Sequence, residues 1–116
     1  MVDEDAAGNA VPPEVVQAIA RQLEQPERVQ VTQRAKYDML ARGVTTADVC
    51  DALTQWLDLG GSLRTIVTDK APEHVGERAY VGYPQLGGRE YYVKVTVRAI
   101  GTQNERLLLI SAHESN

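Results

Sequence analysis

Five residues near the C-terminal end have the types and spacing to act on a phosphodiester. Tyr92, Lys94, Thr96 and Arg98 recur at a period of two. On a β-strand that period puts them on one face, with successive side chains roughly 7 Å apart, close to the spacing of consecutive phosphates on a single nucleic-acid strand. A phenol and two cations in such a row can hold a phosphodiester. His113 follows on the next strand-like segment, and histidine is the side chain best suited to moving protons near neutral pH. The competing reading is an ordinary solvated strand face, with His113 an exposed residue near a chain end. Four of the six aromatic residues (Tyr80, Tyr83, Tyr91 and Tyr92) fall in one short stretch. Unpaired RNA bases stack on tyrosine, although strands favour tyrosine in any case.

Other chemistries find no support in the residues. Cys50, His74 and His113 are too far apart to give a zinc spacing. Gly87-Gly88 is too short to cradle phosphates and leads into a strand pattern. No serine sits in a nucleophile-elbow context, and the carboxylates are scattered. What remains is phosphodiester chemistry without metal or cofactor, or no chemistry.

The elements that must position these side chains can be read from periodicity. Pro12-Pro13-Glu14 reads as a helix start, and Val15, Ile19 and Leu23 make one apolar stripe that Pro26 terminates. This predicts a helix over 13–24. Thr32 can cap a second helix over 33–42, with Gly43 placed to end it. Thr45 and Asp48 have the spacing of a capping box for a third helix over 46–58. Its stripe of Val49, Leu53, Trp56 and Leu57 places Trp56 in the core between helices and sheet. Arg28–Val31 is too short to classify.

After Gly60-Gly61 the period changes from helical to alternating. Strands are expected at Leu63–Thr68, Glu77–Tyr83, Glu90–Ile100 and Arg106 to about His113. Helices first and strands after, with short connections, define an α+β protein with helices packed on a mostly antiparallel sheet. In the Glu90–Ile100 strand, Tyr91, Val93, Val95, Val97 and Ala99 alternate with the polar set, so one sheet face is partly open. His113 is in phase with Leu107, Leu109 and Ser111 along the last strand.

At 116 residues the chain fits one domain. Residues 1–11 are expected to form a disordered acidic leader and 12–116 a single α+β domain. With 43% hydrophobic and 24% charged residues the composition is globular, and a lone cysteine allows no internal disulfide. The longest aliphatic run, Leu107–Ile110, is far too short to span a bilayer. The first residues are acidic where a secretion signal is basic, so a cytoplasmic protein is expected. The net charge of −4 hides an asymmetry. Residues 1–27 carry six carboxylates against Arg21 alone, whereas residues 28–116 carry eleven cations against ten carboxylates. A nearly neutral body leaves room for a local basic face.

Thr65–Ser111 resembles the motility quorum-sensing regulator family of bacterial toxin ribonucleases, relatives of the RelE-like ribonuclease fold. The sharpest match is Tyr91-Tyr92-Val93-Lys94-Val95-Thr96-Val97, similar to that family's tyrosine–aliphatic–Lys–aliphatic–Thr–Val strand. The segment Leu107–Ser115 resembles its aliphatic terminal strand. Arg34-Ala35, Met39, Arg42-Gly43-Val44 and Asp48-Val49 also resemble a wider set of small RelE-like proteins, with Arg34 where that set has histidine.

The resemblance implies a RelE-like fold and a cognate antitoxin partner. It places the family's active-site tyrosine at Tyr92 and its C-terminal lysine at His113, a change from a fixed cation to a titrating group. An earlier basic residue falls near Arg64, and the family's glutamine has only Arg78 or Tyr80 nearby.

Combined with the residues themselves, this gives an expected metal-independent endoribonuclease that cleaves single-stranded RNA by 2′-hydroxyl attack and needs no cofactor. His113, Tyr92, Arg64 and Arg78 are the candidate catalytic groups. Lys94, Arg98 and Tyr80 are the candidate RNA-binding groups. The alternative is a non-catalytic RelE-like module that binds protein or nucleic acid, which the acidic first 27 residues favour.

Overall fold

A computed structural model describes residues 11–67 and 78–115. The leader 1–10 and His74 lie outside the described residues. Helix α1 spans Pro13–Leu23, followed by a 3₁₀ turn at Pro26–Arg28. Strand β1 is Gln30–Val31, α2 is Gln33–Arg42 and α3 is Thr46–Asp58. The strands β2 (Arg64–Val67), β3 (Arg78–Gly82), β4 (Gln85–Leu86), β5 (Arg89–Arg98) and β6 (Arg106–Glu114) follow. The protein is α+β as expected, and each helix lies within a residue of its expected bounds.

Local chemistry explains those bounds. Thr32 Oγ1 accepts the Ala35 N–H at 3.2 Å and caps α2. At α3, Asp48 N–H donates to Thr45 Oγ1 (3.1 Å) and Thr45 N–H donates to Asp48 Oδ2 (3.0 Å), a complete capping box. Gly87 and Gly88 both have positive φ, 62° and 80°. Side chains resist that conformation in succession, and it closes the two-residue β4–β5 turn with the twist a hairpin needs.

The sheet runs β1-β6-β5-β3-β2, with β4 pairing on β5. All pairs are antiparallel except β1 with β6. The sheet is therefore mixed, and its one parallel pair lies at an edge. One face carries Tyr80, Tyr91, Val93, Val95, Leu107 and Leu109. These join Val15 and Ile19 of α1, Met39 of α2 and Val49 and Leu53 of α3 in one core cluster. Trp56 differs from expectation. It is half-buried and packs against the margin of that cluster, because its ring covers the backbone at Gly61 and Gly82.

A polar lock ties α1 to the loop between β5 and β6. Glu105 is only 6% exposed. Its carboxylate accepts from Arg21 Nη2 (2.8 Å), Gln22 Nε2 (2.9 Å) and the Gly101 N–H (2.8 Å). These donors, Arg21 first, hold its pKa down at about 2, against the opposing effect of burial. The folded-state value lies below the ordinary carboxylate value, so the lock contributes its full stability above about pH 4.5. That contribution is lost as pH falls through the folded value near 2. Glu105→Gln is expected to lower stability at neutral pH by about 1.5 kcal/mol, the scale of one charge-assisted hydrogen bond. The wild-type advantage should shrink as pH drops from about 4.5 towards 2. Urea unfolding of both proteins across that range checks it, and a constant difference at every pH contradicts the assignment.

Candidate active site

The other face of the sheet assembles most of the predicted site. Tyr92 of β5 pairs directly with His113 of β6. Their rings stack with centroids 5.1 Å apart and planes 15° from parallel. Tyr83, just after β3, meets Tyr92 edge to face at 5.8 Å and 73°. The next row across this face is Arg64, Val81, Lys94 and Ser111, on β2, β3, β5 and β6. Arg64 and Lys94 are two strands apart, about 10 Å at the backbone. Their side chains can therefore converge on one phosphate above the row.

A β-bulge puts His113 there. Lys94 pairs with Ser111, but its neighbour Val95 pairs with Leu109, so Ile110 is an extra residue in β6. One extra residue reverses the facing of everything beyond it. Leu107 and Leu109 face the helices, Ala112 takes over that side, and His113 turns to Tyr92. Periodicity alone puts His113 in phase with Leu107 and Leu109, on the core side, because a bulge leaves no mark in an alternating pattern.

The end of β6 is held on several sides. His113 Nδ1 lies 3.0 Å from the Glu114 carbonyl oxygen. A carbonyl can only accept, so Nδ1 is the donor in this contact, and in the neutral ring Nε2 is then the acceptor. Arg42 and Arg89 each approach the Glu114 carboxylate at 3.4 Å. Ser115 donates through its N–H to the Glu90 carbonyl (2.9 Å) and through Oγ to Glu90 Oε2 (2.7 Å). Burial pushes the Tyr92 phenol above the ordinary tyrosine value; Tyr83 adds to the shift and Arg64 opposes it. Tyr92 therefore holds its proton at neutral pH.

Not every predicted residue reaches this face. Tyr80 pairs with Val95 and is buried in the core at 7% exposure. Arg78 shares its parity and is exposed at the β2–β3 end. Two residues chosen for nearness in sequence thus lie on the opposite side of the sheet from Tyr92. Arg98 has the right parity, but it pairs with Arg106 at the far end of the hairpin, roughly 20 Å along the strand from Tyr92. Tyr83 was missed as a site residue, although the tyrosine cluster was a signal for it. Glu114, Arg42 and Arg89 lie on the Tyr91 side of the sheet and support the end of β6 from there. Cys50 is buried in α3, and burial, with Asp51 and Glu27 adding, pushes its thiol up to about 11. It is no nucleophile at neutral pH.

Two cavities of about 400 Å³ each lie away from Tyr92 and His113. One lies by Arg21, Arg28 and Glu105, the other by Arg42, Arg89 and Glu114. Among the described residues no group of His, Cys, Asp or Glu is placed to hold a metal ion, and no helix is long and apolar enough to cross a membrane. The chain matches no protein family, no curated protein and no solved structure.

Proposed function

We propose that the protein is a cytoplasmic, metal-independent endoribonuclease toxin of the RelE-like class, restrained by a cognate antitoxin protein. The observation that carries this reading is the stacked Tyr92–His113 pair beside Arg64 on one sheet face. His113 Nε2 takes the proton of an RNA 2′-hydroxyl, and the freed oxygen attacks the adjacent phosphorus. As the new O2′–P bond forms, the P–O5′ bond breaks. The protonated Tyr92 phenol donates to the departing 5′ oxygen. Arg64 and Lys94 balance the charge that builds on the phosphorane. The products are a 2′,3′-cyclic phosphate and a 5′-hydroxyl.

The test is incubation of the full chain with a long single-stranded RNA in the presence of a chelator. Cleavage with cyclic-phosphate ends is expected, and an oligonucleotide with one 2′-deoxy sugar at a mapped cut should stay intact there. RNA left whole after long incubation removes the enzyme reading. If that RNA is nonetheless bound, the face is a binding surface without chemistry, the reading favoured by Glu90, the next residue beyond Tyr92 on this face.

A further inference from the structure

The bulge in β6 needs an explanation of its own. In a regular strand consecutive carbonyls point to opposite edges. Leu109 and Ile110 break that rule, because both carbonyls reach the same residue on the neighbouring chain segment. Thr32 N–H donates to Leu109 O at 3.1 Å, and Thr32 Oγ1 donates to Ile110 O at 2.9 Å. The same Oγ1 accepts the Ala35 N–H as the cap of α2. One hydroxyl thus uses its donor on the bulge and its acceptor on the helix.

The threonine stands where β1 ends, just past the parallel pair Val31–Leu109. It is fixed from both sides, by the sheet edge and by the first turn of α2. Ile110 is the residue whose exclusion from the pairing keeps His113 on Tyr92. Without the Thr32 donor the Ile110 carbonyl loses its partner. β6 then relaxes towards uniform pairing, which carries His113 to the side of Leu107 and Leu109.

We propose that Thr32 is a positioning residue for the site: its hydroxyl holds the Ile110 bulge and so sets the sheet face His113 occupies. The activity part of this proposal rests on the ribonuclease reading; the placement part does not.

Three variants of the full chain separate the roles of that hydroxyl. T32S keeps donor and acceptor. T32D keeps a strong helix cap but, as a carboxylate, cannot donate to Ile110. T32V has the threonine's shape with neither function and no added charge. The placement readout is NMR of the His113 ring protons, which stacking on Tyr92 shifts upfield. T32D and T32V should lose that shift, and T32S should keep it.

In cleavage assays T32D and T32V should lose about 10²-fold in kcat, the scale of a misplaced catalytic group, with KM little changed. T32S should stay close to wild type. A folded T32D or T32V that keeps the upfield shift overturns the proposal. If wild-type protein cuts no RNA, the ribonuclease reading fails while the ring-proton comparison still decides the role of Thr32.

Discussion

Replacing His113 with alanine should lower RNA cleavage by roughly 10²–10⁴-fold, the usual contribution of a positioned acid or base. His113 pairs with Tyr92, its Nδ1 is committed to the Glu114 carbonyl, and its other nitrogen is left to accept a proton. His113→Lys, which installs the group the resembling family uses there, should retain part of the activity. Its pH optimum should rise, because an amine titrates far above an imidazole. A chelator should not change the wild-type rate, and neither should replacement of His74. Circular dichroism confirms that each variant is folded. If the alanine variant cuts as fast as wild type, His113 is not the acid or base, and Tyr92 with Arg64 becomes the next pair to test.

A large effect on stability is expected at Gly82. A Cβ built there would lie 2.8 Å from Trp56 Cζ3 and 2.9 Å from Leu53 Cδ1. Leu53 is 1% exposed and cannot move aside cheaply. Gly82→Val should therefore destabilise by up to about 3 kcal/mol, as overpacking of a filled core does. Trp56→Leu gives back space, so in the double mutant the two losses should sum to less than their separate values. Urea unfolding of the four proteins measures that coupling. A Gly82→Val protein as stable as wild type contradicts the close approach of the Trp56 ring.

The elements were legible where local chemistry decides them. The capping residues Thr32, Thr45 and Asp48 and the apolar stripes of α1 and α3 mark their helices, and the alternation of β5 marks its strand and its two faces. Strand β1 was not legible, since two residues in a parallel edge pair have no period to read. Arg78 and Tyr80 were misplaced because facing across strands depends on register, which neighbours in sequence do not encode. The Glu105 lock joins residues more than eighty positions apart through ordinary polar side chains. Within the candidate site, Tyr92 and Lys94 followed from one strand's parity. The approach of Arg64 to Tyr92 depends on how β2 and β3 pair.

The bulge at Ile110 also means that the facing of His113 depends on a count of residues as well as on their types. Point changes within β6 leave that count intact. Losing the single codon for Ile110 would join Leu109 directly to Ser111, so β6 would alternate evenly with His113 still opposite Tyr92. Residues Thr102–Asn104, in the exposed loop of the same hairpin, are where an added or lost residue does least harm. One hairpin therefore combines a lenient tip with a strand end whose extra residue can be lost without moving His113. Removing Ile110 takes away the carbonyl that the Thr32 hydroxyl holds, but none of the residues of the candidate site.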